Sequence, residues 1–176
     1  MLEEYFEGRR WRGLSLEDAV RRADELEQCA GQVFTWLTCT NAGAAEVCLA
    51  ALQLRGIGED ALATGYLCDP VSKSHLRVLA RLGIKVRLTR NIDKVRGFVN
   101  GAVGTVCESL RGNEVFTVKL HGTGNLVLVY PMEEDGKLFL PCCYGYATTI
   151  RRAQGASCDM GCVRFNQKRY AAGPLS

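Results

Sequence analysis

The stretch YGYATTIRRAQGASCD, from Tyr144 to Asp159, combines small, hydroxyl, amide and basic side chains. A helix over residues 144–154 would place four positions on one face: Thr148, Arg151, Arg152 and Gly155. Hydroxyls, guanidinium forks and an open glycine N–H all donate hydrogen bonds to phosphate oxygens. The segment is therefore a candidate anion site. The alternative is a solvated helix that ends at a glycine cap and carries cations in its last turn.

The run from Tyr146 to Gly155 resembles motif V of the Pif/RecD-type superfamily 1 DNA helicases, and Asp159 follows at the family's spacing. That motif reads aromatic-Ala-x-Ser/Thr-Ile-His-Lys-Ser/Ala-Gln-Gly. Thr40-Asn41 resembles the start of the motif IV region. The segments that resemble the family's entry into a small inserted β-barrel are Arg90-Asn91, Gly97, Asn100-Gly101 and Gly104-Thr105-Val106. The three matches stand in the family's order.

The resemblance implies an α/β fold, namely a partial RecA-like parallel-sheet lobe with an inserted small antiparallel β-barrel. Residues 1–30 would form an N-terminal linker and helix. Residues 31–97 and 141–176 would form the incomplete second motor lobe, and residues 98–140 the inserted barrel. Two departures from motif V change its donor geometry, because Arg151 stands where the family has His and Arg152 where it has Lys.

The pattern of residues independently predicts an α/β arrangement. A helix with a Ser15 cap should run to Gly31, and residues 33–38 form an apolar β-branched run typical of a buried strand. A second helix should cover residues 44–54. Because ligands bind at the carboxyl ends of strands in such units, Thr40 and Asn41 are candidate contacts. The competing account is that Asn41 only caps the helix.

Further along, the pattern predicts a short helix over residues 72–82 and a half-exposed strand over 84–89. Four short apolar runs separated by turn signals then indicate hairpins, and hence a small barrel or meander: 102–107, 114–120, 126–130 and 137–140. Residues 160–165 predict another buried strand.

Charge is distributed unevenly. Residues 1–60 hold eleven acidic and six basic residues, whereas residues 61–176 hold eight acidic and sixteen basic ones. A basic C-terminal part suits a phosphate-backbone binder, although a scattered solvated surface gives the same count. The sequence has no apolar run of eighteen residues and an acidic start, which predicts a soluble intracellular protein with no membrane partner. Its compartment would be the nucleus or mitochondrion in a eukaryote and the cytoplasm otherwise.

Nine cysteines in such a chain favour reduced thiols. Cys142-Cys143 with Cys158 and Cys162 suggests zinc, but no Cys-x2-Cys pair exists. We therefore expect no metal site, and a zinc or redox protein ranks last among the functions considered.

ATP hydrolysis by a helicase needs a Gly-x4-Gly-Lys-Ser/Thr loop, an acidic pair for Mg²⁺ and an arginine finger. The sequence has none of them: its one Gly-Lys, Gly136-Lys137, is followed by Leu138, and Asp24-Glu25 lies in a polar helix face. We expect that this chain alone binds no cofactor and hydrolyses no ATP. The resemblance implies ATP and Mg²⁺ for the complete family enzyme.

The resemblance thus implies part of an ATP-dependent 5′–3′ DNA helicase whose partners are single-stranded DNA and a first helicase lobe. The implied nucleic-acid contacts are Thr40, Asn41, Asn100, Thr149, Arg151 and Arg152. Gln154 and Gly155 would couple them to the nucleotide state. The alternative is a catalytically inactive, helicase-derived module that binds nucleic acid or protein.

Overall fold

The computed structural model describes residues 11, 13–110, 114–154 and 159–164. Its elements, in chain order, are helix α1 (Leu16–Ala30), strand β1 (Phe34–Thr38), helix α2 (Asn41–Gln53), helix α3 (Glu59–Ala63), strand β2 (Tyr66–Cys68), a 3-10 turn (Pro70–Ser72), strands β3 (Arg77–Val78), β4 (Lys85–Leu88), β5 (Val103–Leu110), β6 (Val115–Leu120), β7 (Leu126–Val129), β8 (Met132–Glu134), β9 (Lys137–Leu140), β10 (Cys142–Tyr144) and β11 (Ala147–Thr149), helix α4 (Ile150–Ala153) and strand β12 (Met160–Arg164). Among the helices described, none is long and apolar enough to cross a bilayer.

Helix α1 begins and ends where the sequence predicts. The Ser15 hydroxyl accepts a hydrogen bond from the Asp18 N–H at 3.1 Å, which satisfies a donor that the first helical turn leaves unpaired. At the other end Gly31 adopts φ +64°, and its N–H donates to the Glu27 carbonyl at 3.0 Å. The helix buries Ala19, Val20 and Ala23 against the core.

Strand β1 is the centre of a three-stranded parallel sheet with the order β11-β1-β12. Trp36 lies opposite Ala147 on one side and Cys162 on the other. The predicted strand at residues 33–38 is thereby confirmed. Strand β12 lies at the sheet edge and is only partly buried, so the expectation of a buried strand over 160–165 is wrong.

The remaining strands form two sheets, ordered β10-β4-β5-β6-β7 and β3-β2-β9-β8. The β4–β5, β5–β6 and β6–β7 pairs are antiparallel, which confirms the hairpin prediction. Of the predicted barrel or meander, the strands described close no ring: β5 to β7 extend β4 and β10, while β8 and β9 join β2. The division into a lobe of residues 31–97 and 141–176 and an insertion at 98–140 stays a prediction.

Two helix predictions are wrong. Residues 72–82 form a 3-10 turn and a short strand, because Lys73 turns into the left-handed region at φ +52° and the Leu79 N–H donates to the Tyr144 hydroxyl at 2.8 Å. In residues 144–154 the helix covers only Ile150–Ala153, because 147–149 pair with β1 and the two β-branched threonines there fit an extended backbone.

Strand β4 is more buried than its alternating pattern predicts. Lys85 is 4% exposed, and its ammonium group donates to the Glu27 carboxylate and, at 3.2 Å, to the Phe34 carbonyl. Burial lowers the pKa of Lys85, and the bond to Glu27 opposes that shift. The pair fixes α1 on the sheet.

Candidate nucleic-acid interface

The carboxyl end of β1 leads directly into α2. Thr38 donates its hydroxyl proton towards the Thr40 carbonyl at 2.9 Å and lies 3.3 Å from the Thr148 carbonyl of the neighbouring strand. Thr40 is the helix cap, since its hydroxyl accepts from the Gly43 N–H at 3.0 Å. The account in which Asn41 caps the helix is therefore wrong. Asn41 is the first residue of α2, which starts three residues before the predicted 44.

Strand β11 ends in a similar way. Thr149 caps α4, with its hydroxyl accepting from the Arg152 N–H at 3.4 Å. The Arg152 guanidinium then donates to the Val71 carbonyl at 3.0 Å, and no described acidic residue pairs with it. The single helical face predicted for this segment is wrong, because Thr148 lies on the buried strand while Arg151 and Arg152 lie on the helix; Gly155 is outside the described residues.

Two adjoining cavities open between these strand ends. The larger has a volume of about 200 Å³, and it is lined by Val71, Ser72, Arg87, Thr89, Asn100, Gly101, Cys143, Thr148 and Arg152. The smaller, about 40 Å³, adds Asn41, Thr149 and a set of mostly apolar side chains. Arg87 and Arg152 line both, and no carboxylate lines either. We call the two together the cleft.

The cleft carries positive charge both on its floor, where Arg87 lies, and at its exposed rim, where Arg152 lies. Arg87 projects from β4, and its Nε and Nη2 atoms have neither solvent access nor a hydrogen-bond partner. Cys143, its cross-strand neighbour, lies beside it. Burial raises the pKa of the Cys143 thiol, while the charges of Arg87 and Arg152 lower it. The charges of both guanidinium groups therefore act on the same thiol, which lines the cleft.

A buried ion pair supports the Val71 side of the cleft. The Asp69 carboxylate accepts from the Val71 N–H at 2.9 Å, from the Thr89 hydroxyl at 2.7 Å and from Arg90 Nε at 2.6 Å. Burial works to raise the pKa of Asp69, but these bonds outweigh it and hold the pKa below its ordinary value. Arg90 also reaches Glu134 at 2.7 Å, which links the segment after β4 to strand β8 of the other sheet.

The structure brings some of the sequence-predicted residues to the cleft and leaves others outside it. Those that line it are Asn41, Asn100, Thr149 and Arg152. Thr40 is exposed beside it, while Arg151 and Gln154 are exposed and line neither cavity. Gly155 lies outside the described residues. The roles of all eight stay predictions.

Sequence reasoning missed Arg87 and Ser72 as cleft residues, whereas it had placed Thr148 in the candidate anion site. Only Arg87 gave a signal, as a charged residue at an alternating position of a strand. The zinc alternative gains no support, since no group of three or more potential ligands converges within the described ranges and Cys158 lies outside them.

The fold defines a class: a partial RecA-like α/β lobe. The particular likeness is to Pif1 helicases. A Bacteroides Pif1 helicase solved with ADP-AlF3 and single-stranded DNA matches with a TM-score of 0.52 at 18% identity, over 84% of this chain and 41% of that one. Bacteroides Pif1 bound to single-stranded DNA matches with a TM-score of 0.48 at 16% identity, over 84% and 41%.

Pif1 helicase from Candida albicans matches with a TM-score of 0.46 at 19% identity, over 83% of this chain and 43% of that one. The chain therefore spans less than half the length of the solved proteins that it matches. No family model and no curated protein matches the sequence. The match with a TM-score of 0.52, at 18% identity, establishes the fold alone.

Proposed function

We propose that this chain supplies the single-stranded DNA contacts and the motif V coupling element of an ATP-dependent 5′–3′ DNA helicase. The observation that carries the proposal is the cleft, where two arginines and several hydroxyl and amide groups meet without a carboxylate. Such donors bind the phosphate oxygens of a nucleic-acid backbone without reading its sequence. The Bacteroides Pif1 structure that matches this fold with a TM-score of 0.52 contains single-stranded DNA.

The residues of the proposed contact divide into two groups. Backbone contacts come from Thr40, Asn41, Asn100, Thr149, Arg151 and Arg152. Thr149 acts through its bond to the Arg152 N–H, which fixes the start of α4. Gln154, which caps the end of that helix, and Gly155, which follows it in the sequence, would transmit the nucleotide state.

ATP and Mg²⁺ would be held by a first lobe in a longer product or in a partner chain. The residues described here do not fit that role, since they contain no converging group of three potential metal ligands and the sequence lacks the phosphate-binding loop. No hydrolytic step is assigned to them. We expect the purified chain, with oligo-dT and Mg-ATP, to release no phosphate above background, and measurable turnover would contradict this.

The binding test compares two double variants by fluorescence anisotropy with labelled oligo-dT across a salt series. Arg152→Ala with Gln154→Ala should weaken binding and flatten the salt dependence, because each lost phosphate contact lowers the slope on a single strand by about 0.7. The matched control is Arg81→Ala with Gln28→Ala, two exposed residues that line neither cavity. An equal loss of oligo-dT affinity in the two double variants would contradict the assignment of the site.

A second candidate is a catalytically inactive module that binds protein. It is favoured by Leu126 and Leu128, which are 58% and 48% exposed on β7, the edge strand of its sheet. The same titration separates the two candidates. If the wild-type chain fails to bind oligo-dT at about 50 mM salt, where phosphate contacts are strongest, the nucleic-acid proposal falls and the module remains.

A further inference from the structure

Neither arginine of the cleft pairs with a described carboxylate, but only Arg87 also has buried nitrogen atoms without a described hydrogen-bond partner. It lies in the middle of its sheet, paired with Cys143 on β10 and with Val103 on β5. Its Nε and Nη2 atoms are buried without a hydrogen-bond partner. Buried polar groups in folded proteins are nearly always hydrogen-bonded, and a guanidinium cannot shed its charge to escape the penalty. These two nitrogen atoms are therefore candidate donors to an anion.

The surroundings of Arg87 fit an anion better than a structural partner. It shares the larger cavity with Arg152 and with the hydroxyl-bearing residues Ser72, Thr89 and Thr148, and no carboxylate lines that space. The cavity of about 200 Å³ is several times the roughly 30 Å³ that one water occupies in the liquid, so a phosphate group fits. Planar guanidinium forks are the side chains best suited to bind phosphate in two-point geometry.

We propose that Arg87 and Arg152 together form a binding site for a phosphate-type oxyanion, and that its ligand is one phosphate of a single-stranded nucleic-acid backbone. This rests on the proposed function for the identity of the ligand, but not for the anion site itself. Arg152 holds the anion at the rim, where its guanidinium is already oriented by the Val71 carbonyl. Arg87 receives it from the floor.

If Arg87 binds an anion, its removal should change stability and binding in opposite directions, which removal of a purely structural arginine would not do. An unpaired buried charge destabilises a fold, and an apolar side chain of similar shape in its place is often stabilising. Arg87→Met should therefore raise the melting temperature while it weakens oligo-dT binding. A structural role predicts a fall in stability instead, with any loss of binding following from it.

The experiment measures melting temperature and oligo-dT affinity for wild type, Arg87→Met, Arg87→Lys and Arg81→Met. Arg87→Met should bind roughly tenfold more weakly at low salt, the loss expected for one charged hydrogen-bonded contact, with the salt slope lower by about 0.7. Arg87→Lys keeps the charge and should restore the slope. Arg81→Met removes an exposed arginine four residues before β4 and should change neither the melting temperature nor the affinity for oligo-dT. Binding by Arg87→Met equal to wild type, or a lower melting temperature with no rescue by lysine, would overturn the proposal.

A second arm tests the anion site without nucleic acid. Sodium pyrophosphate should raise the melting temperature of the wild type above that in sodium chloride of equal ionic strength, and should not do so for Arg87→Met. If wild type fails to bind oligo-dT but responds to pyrophosphate through Arg87, the site stands and its ligand is a free phosphate compound, so the proposed function alone falls. If pyrophosphate acts equally on both proteins, the Arg87 site is refuted whatever oligo-dT does.

Discussion

Asp69→Asn tests how the cleft is held in shape. The Asp69 side chain has no solvent exposure and accepts hydrogen bonds from Val71, Thr89 and both Nε and Nη2 of Arg90. An asparagine keeps one acceptor oxygen and turns the other into an NH₂ group, which cannot accept from any of these donors. The substitution therefore breaks the ion pair with Arg90 and places an NH₂ donor opposite other hydrogen-bond donors. The volume of the side chain hardly changes.

The expected loss is large because one partner of a buried pair is removed. Such changes destabilise proteins by about 3–5 kcal/mol. Glu134→Gln is the matched control, since Glu134 pairs with the same arginine at 2.7 Å but is 54% exposed. Exposed pairs contribute about 0.2–1 kcal/mol, so the two free energies of unfolding should differ by at least about 2 kcal/mol.

Urea titration at pH 7 measures both variants, provided that the slope of free energy against urea is unchanged. Acid titration adds a second readout. Because the folded-state pKa of Asp69 lies below its ordinary value of 3.8, its stabilisation is present above that value and is lost as pH falls through the depressed one. Asp69→Asn should remove this pH dependence. A loss under about 1 kcal/mol, or one equal to that of Glu134→Gln, would refute the reasoning.

Two further predictions concern the scaffold and use the same urea assay. Glu27→Gln should destabilise by about 3 kcal/mol because it leaves the buried Lys85 ammonium without its carboxylate, whereas Glu25→Gln, in an exposed pair 3.6 Å long, should change stability by less than about 0.5 kcal/mol. Comparable losses of unfolding free energy in Glu27→Gln and Glu25→Gln would show that burial does not strengthen the Lys85 pair. Gly104→Ala should destabilise by more than about 2 kcal/mol, because an added Cβ would lie 2.5 Å from a carbonyl oxygen of the facing strand. Gly122→Ala, with open space around it, is the control, and an intact Gly104→Ala protein would show that β5 and β6 can separate.

Local signals predicted the parts of the fold that local chemistry decides. The Ser15 cap and the Gly31 turn bounded α1, and the alternating apolar runs gave most of the antiparallel strands within one or two residues. The family resemblance predicted the RecA-like lobe, and the likeness to a Pif1 helicase structure confirms it as a fold. These signals share one property: each can be read within about ten residues of chain.

The errors fall where distant partners override local preference. Residues 144–154 have a helical spacing of polar groups, yet 147–149 become strand because β1 offers them hydrogen-bonding partners about 110 residues earlier in the chain. Lys85 and Arg87 mark β4 as half-exposed, but their environments come from α1 and from β10. The cleft itself was only partly predictable, since Arg87 and Val71 reach it from segments with no site-like pattern.

The position of β1 between β11 and β12 has a consequence for biosynthesis. When Phe34–Thr38 leaves the ribosome, both strands that pair with it are still untranslated, because they lie at residues 147–149 and 160–164. At about 5–20 residues per second the wait is roughly 5–25 s. During that interval a hydrophobic strand with two open edges is available to other nascent chains, so we expect heavy dependence on chaperones that hold such segments until translation ends.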